Sequence, residues 1–226
     1  MSVSKAMSDF DDPRCDVLVL GIGNLLWADE GFGVRCVEHL TAQWQVPEGI
    51  TVMDGGTQGL YLLPYVQGAK RLIVFDAIDY GLPPGTMKRV EGDEVPRFMG
   101  AKKMSLHQTG FQEVIAAADL TGQLPEALLL IGVQPEELED YGGSLRDVVK
   151  ARLDDAVAMA VAQLRDWGHA VERRESKVMQ SGIPLRDGAG NKAMTGDAAL
   201  AMGAYEAGRP SAEAASRIGD DRFMAA

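Results

Sequence analysis

Residues 16–35 read DVLVLGIGNLLWADEGFGVR. Behind Asp16, residues 17–20 are an apolar run without alternation, the pattern of a strand covered on both faces. At Gly21 the run breaks into a glycine-rich turn, which leaves Asp29 and Glu30 where a helix over 31–43 begins. Phe32, Val34, Val37 and Leu40 recur in that helix at helical spacing, and Arg35, Glu38 and Gln43 take the solvent side. A strand that passes its chain to a helix in this way belongs to an open α/β sheet, and such sheets hold ligands outside the carboxyl ends of their strands.

Two further runs end as the first one does. Residues 50–54 (ITVMD) and 71–76 (RLIVFD) each finish on an aspartate, so Asp54 and Asp76 join Glu30 along one acidic sheet edge. A turn cluster follows at 79–85, a strand at 86–90, a helix capped by Ser105 or Thr109 that runs to about 119, and a buried strand at 127–133. A long amphipathic helix over 144–167 ends the regular pattern, with Gly168 closing it. Strands alternating with helices predict an α/β fold, a three-layer αβα sandwich around a mostly parallel twisted sheet, in a single domain.

The chain has 226 residues, 46% of them hydrophobic, enough for one globular domain with some chain left over. The expected division is a leader over 1–14, the αβα domain over 15–170 and a low-complexity, disordered tail over 171–226, with one short helix near 195–206. From Val171 onward eight acidic residues balance eight basic ones, so the net charge of -11 belongs to the preceding residues. With 33 acidic groups against 22 basic ones, the field repels phosphate backbones and anionic headgroups, which excludes nucleic acid and membrane as partners. No stretch suits a bilayer span or a secretory signal, which places the chain in the cytoplasm. Cys15 and Cys36 form neither a ligand pair nor a disulfide framework.

A dinucleotide site fits the turn poorly. The third glycine of GxGxxG is replaced by Leu26, and no acidic residue follows at the expected distance. A metal fits better, because Glu30, Asp76 and His107 would supply two hard oxygens and an imidazole nitrogen and leave coordination open. Each of these residues also has a structural reading. Asp29 suits a helix N-cap, Glu30 can complement the helix dipole, and Asp54 and Asp76 can serve as turn formers. His107 can equally be a hydrogen-bonded loop histidine.

Five blocks in order, GIGNLLWADEGFGVR, DGGTQGLYLL, DAIDYGLPPGT, SLHQTGFQE and IGVQPEELE, resemble the maturation endopeptidases of nickel-iron hydrogenases, the HupD, HyaD and HybD type. The resemblance covers roughly residues 16–167. It implies a metal-dependent endopeptidase that removes the C-terminal extension of the hydrogenase large-subunit precursor after nickel insertion. Matched block by block, Glu30, Asp76 and His107 are the metal ligands, with nickel presented by the substrate and no nucleotide involved. Asp54 is implied as the positioning or acid/base group, and Asn24, Gly55, Gly56 and Thr57 as the peptide-binding residues. The partner implied is that precursor, met by a monomer. The alternative is a non-catalytic nickel-binding assembly factor with the same ligands. Typical members end soon after the last helix, so the tail is expected to lack a counterpart.

Overall fold

The structure is a computed structural model that describes residues 14–96 and 106–174, and for residues 106–109 the backbone alone. The chain divides into two units, Met1–Arg173 and Arg174–Ala226; all of the second but Arg174 lies outside the described residues, as do the leader over 1–13 and the helix expected near 195–206.

The opening apolar run forms β1 (Cys15–Ile22), in which Val17, Leu18, Val19 and Leu20 are all fully buried. Burial on both faces is what a run without alternation requires, and each such side chain contributes about 1.5–3 kcal/mol. The strand outlasts its expected end, because Gly21 and Ile22 continue it. Gly21 belongs to the strand for a packing reason: a Cβ there would collide with the Gly33 carbonyl oxygen and stand 2.6 Å from its carbonyl carbon.

A 3-10 turn (Ala28–Gly31) leads into α1 (Phe32–Gln43), followed by β2 (Trp44–Gln45) and β3 (Ile50–Gly56). A second 3-10 turn (Gly59–Leu62) and α2 (Leu63–Gly68) return the chain to β4 (Ala69–Ala77), and β5 (Met87–Glu91) comes next. After α3 (Leu106–Leu120) come β6 (Ala127–Val133), α4 (Asp147–Lys150), α5 (Leu153–Asp166) and β7 (Glu172–Arg173), which pairs with β2. The main sheet has the order β3-β1-β4-β6-β5, parallel except for the edge strand β5. One face carries α2 and α3, whose Val66, Phe111 and Val114, with Leu62 of the preceding turn, share a core with Leu18, Leu20, Leu72 and Val74. The other face carries α1 and α5. The chain is therefore the single-domain α/β sandwich that the alternation predicted.

Three local expectations are corrected. The helix expected over 144–167 is two helices, because Arg146 is held extended (φ -64, ψ 149) by its N–H bond to Asp29, and Arg152 turns its N–H to Val149 in a 3-10 step. Arg35, assigned to the solvent side of α1, is buried at 3% exposure and pairs with Glu38 at 2.8 Å. Asp29 caps neither its own 3-10 turn nor α1, since neither start has a side-chain cap.

Candidate active site

The order of the strands locates the site. From β1 the chain goes out to β3 on one side and then crosses to β4 on the other, so the connections that leave the carboxyl ends of the paired strands β1 and β4 part at a topological switch point. Asp76 lies at the end of β4, fully buried. Glu30 lies in the 3-10 turn that leaves β1, nearly buried at 9% exposure, and that turn packs against β4. Glycines make this approach possible. A Cβ on Gly33 would collide with the carbonyl oxygens of Ile22 and Phe75, so α1 starts directly on the ends of β1 and β4. Gly23, at φ 141, admits the Glu30 carbonyl in the same way.

Glu30 is held by its neighbour. Asp29 is fully buried, and its carboxylate accepts N–H bonds from Glu136 (2.8 Å), Glu137 (2.9 Å) and Arg146 (2.7 Å). Asp29 also donates its own N–H to the Glu137 carbonyl at 3.0 Å. The residue ties the first sequence block to the fifth, and a hydrogen-bonded carboxylate of this kind is the form in which a charge tolerates burial. The same turn carries Ala28 at φ 28, the sole non-glycine at positive φ among the described residues, with its N–H on the Asp140 carbonyl at 3.2 Å. Such strain costs about 1–3 kcal/mol and persists where surrounding contacts over-determine it.

Asp54 stands apart from this pair. Register places it beside Gly21 on the far side of β1 from β4, so its Cα is about 10 Å, two strand spacings, from that of Asp76. Its Oδ1 accepts the Gly56 N–H at 2.8 Å, and Gly23 donates to the Gly56 carbonyl at 3.1 Å, which fastens the loop of Gly55, Gly56 and Thr57 to the turn after β1. Partial burial pushes the Asp54 carboxyl above the usual aspartate range, against the smaller opposing effects of the Gly56 N–H and the Arg35 cation. Asn24 folds its Oδ1 onto the Leu26 N–H at 3.0 Å and so shapes its own turn.

His107 belongs to the first turn of α3, and its side chain lies outside the described residues. Its helix is brought to this edge by two more glycines. A Cβ on Gly110 would meet the Gly59 Cα at 3.4 Å, so the start of α3 rests on the turn that follows β3. Among the described residues no group of three or more histidine, cysteine, aspartate and glutamate side chains forms a metal-sized cluster. The third of the expected ligands is not among them.

Two residues that sequence reasoning passed over also belong here. Gln134 is buried and bridges the loop after β4, accepting the N–H groups of Tyr80 (2.7 Å) and Leu82 (3.1 Å) while donating to Asp79 Oδ1 (3.0 Å). Tyr80 is buried, and its phenol is pushed far above the usual range by burial first and then by the Asp76 charge. The sequence signal for both was their place inside blocks three and five.

Residues 34–163 match the family described as HycI, hydrogenase maturation protease. The chain belongs to that family. The hydrogenase expression/formation protein HupM of Azotobacter chroococcum mcd 1 is 57% identical over 210 residues, 93% of this chain and 94% of the relative. The hydrogenase 2 maturation protease of Escherichia coli K12 is 40% identical over 71% of this chain and 97% of the relative. Among solved structures, the hydrogenase maturating endopeptidase HybD from E. coli matches with TM-score 0.66 and 39% identity, over 70% of this chain and 97% of that one.

The two relatives treat the tail differently. The HupM match leaves 226 − 210 = 16 residues of this chain unaligned, so at least 40 of the 56 tail residues lie within it. The expectation that the tail has no counterpart in hydrogenase maturation proteins is thereby corrected. The E. coli protease is matched almost to its full length by 161 residues.

Proposed function

We propose that this member of the hydrogenase maturation proteases makes one cut in a nickel-iron hydrogenase large-subunit precursor, removing its C-terminal extension after nickel has been inserted. What supports the reading is that the 3-10 turn carrying buried Glu30 packs against β4, which carries buried Asp76 at its end. Buried carboxylates are costly unless something cationic or a donor meets them. Two hard oxygens and the His107 imidazole are a donor set that suits a divalent ion of the nickel class, presented by the substrate. A seated divalent ion would polarise the carbonyl next to it.

The chain's own residues would do the rest. Asp54, with its raised pKa and its position across β1, would take the proton of the attacking water and return it to the leaving amine nitrogen. Asn24, Gly55, Gly56 and Thr57 would let the substrate backbone pass between those two stations. Exposed Leu26, Leu60, Tyr61, Leu82 and Tyr141 lie on the loops of this same sheet edge, a surface suited to a protein substrate. In this reading the enzyme is a cytoplasmic monomer that takes no nucleotide. Among the described residues no helix is long and apolar enough to cross a membrane.

The test incubates purified protein with the precursor, with and without nickel, and follows the shortened product on a gel. Product from the nickel-loaded precursor alone is the expected result, and equal cleavage of both would overturn metal recognition. Tight association without any cut would favour a non-catalytic nickel-binding assembly factor. Retained processing by His107→Ala would remove the ligand set from both readings.

A further inference from the structure

Residues 78–86 join β4 to β5 and cross the carboxyl end of β6, starting directly behind the strand that carries Asp76. Gln134, the first residue past β6, organises this crossing. A glutamine amide has two acceptor and two donor places, and here all four are taken. Its Oε1 accepts the N–H groups of Tyr80 (2.7 Å) and Leu82 (3.1 Å), while its Nε2 donates to Asp79 Oδ1 (3.0 Å) and to the Pro135 carbonyl (3.2 Å). The Gln134 main chain holds the far end of the loop, where its carbonyl accepts the Gly85 N–H at 2.8 Å and its N–H donates to the Thr86 carbonyl at 2.8 Å.

The loop is also seated on the sheet. Tyr80 is buried, and a Cβ on Gly132 would collide with its Oη and stand 2.9 Å from its Cζ, so the ring occupies the side-chain place that Gly132 leaves empty. Lys88 Nζ lies over the same ring, 5.2 Å from its centroid. Asp79 Oδ1 accepts the Gly81 N–H at 2.9 Å, and Thr86 Oγ1 donates to the Pro83 carbonyl at 2.6 Å. The loop is thereby pinned at its start, its middle and its end.

What this frame presents to solvent is apolar. Leu82 is 41% exposed, and Pro83 and Pro84 beside it are exposed too. An exposed loop ordinarily leaves its amides to water and its tip mobile, and the core gains nothing from fixing an apolar tip in water. A contact already held in its bound conformation loses less freedom on association, and that is what such fixing supplies.

We propose that Leu82 is a specificity-determining residue, which meets an apolar side chain of the hydrogenase precursor close to the cut, and that Gln134 is the positioning residue that aims it. Leu82 touches the substrate away from the reacting bond. Gln134 touches neither and acts through the loop. The proposal rests on the reading of that precursor as the substrate and of Asp76 as a site residue.

The experiment uses the full chain and measures KM and kcat for precursor processing, with the Kd for the nickel-loaded precursor beside them. Leu82→Ala is expected to raise KM and Kd about 5- to 10-fold at parental kcat. Gln134→Met, which keeps the length and loses the amide, should do the same. Adding Leu82→Ala to it should raise KM no further, because a leucine already released from its place has little left to lose. Leu120, 90% exposed at the far end of α3, is the control, and Leu120→Ala should leave KM parental. Where Gln134→Met does not fold, Asp79→Ala removes one of the four bonds and takes its place in the cycle. A parental KM in Leu82→Ala, a loss confined to kcat, an equal rise in Leu120→Ala or independent effects in the double variant overturn the inference. Absence of processing by the parent overturns the protease reading instead, and the Kd of Leu82→Ala still reports whether the leucine meets the precursor.

Discussion

The middle of the central strands buries apolar side chains alone, whereas their carboxyl end buries charged and polar ones as well. Midway along β1 and β4 the buried residues are Val17, Leu18, Val19, Leu20, Leu72, Ile73 and Val74; at the carboxyl end and the turns beyond it they include Asp29, Glu30, Asp76 and Gln134. The first group needs nothing but close neighbours. The second group must each be met by a donor or a cation, so their partners reveal their roles. Asp29 and Gln134 are consumed by backbone N–H groups of neighbouring loops, which makes them braces. Glu30 and Asp76 sit where the braced loops and the glycine contacts put them, at the switch point. Two adjacent acids in one turn thus differ in kind: Asp29 holds the turn, and Glu30 is the one proposed for the site.

The largest effect expected from breaking this arrangement is that of Gly33→Ala. The new Cβ would meet backbone on both strands, including the Ile22 nitrogen at 2.7 Å, and backbone has nowhere to move. A loss of about 3 kcal/mol or more in urea unfolding is expected, with α1 lifted from the strand ends. Next comes the contrast between two buried aspartates. Asp29→Ala strands three N–H donors and should cost about 2–4 kcal/mol in the same measurement. Asp76→Asn should leave the unfolding midpoint at or above the parental value and lower precursor processing at least about 100-fold. The reverse pattern would show that the brace and the site residue have been exchanged.

A smaller effect concerns pH. Folding raises the Asp54 pKa, so the fold favours its protonated form. That contribution to stability is present below the unfolded value and is lost as pH rises through the folded one. Asp54→Asn should therefore gain on the parent above that pH and show no gain in acid, as thermal unfolding across pH would record. If Asp54 works as a base, the acid limb of the processing rate lies above the ordinary aspartate value of 3.8, and Arg35→Met, by removing a nearby cation, moves the limb further up. The smallest effect belongs to the rim. Tyr61 is 83% exposed, and Tyr61→Ala should raise KM for the precursor about 5- to 10-fold while stability stays unchanged.

Much of this was legible in the chain. The unalternating apolar runs announce parallel strands, because only strands covered on both faces can be apolar at every position, and Asp54 and Asp76 fall within two residues of the carboxyl ends of theirs. What escaped was every role set by a partner far away in sequence. Asp29 reads as a helix cap because its bonds go to residues 136, 137 and 146, more than a hundred positions on. Arg35 reads as solvent-facing because its helix packs closer to the sheet than spacing alone can tell. Tyr80 shows no signal beyond its block, since its place depends on a glycine 52 residues later.

The sequence by itself determined the α/β class and the family, because periodicity and ordered motifs are local properties of the chain. Tertiary structure alone decided that Asp29 is a brace, that Asp54 stands two strands from Asp76, and that a tyrosine fills the place of a missing side chain. The reason is physical: a buried charge is defined by what surrounds it, and its surroundings come from segments that meet only when the sheet is assembled.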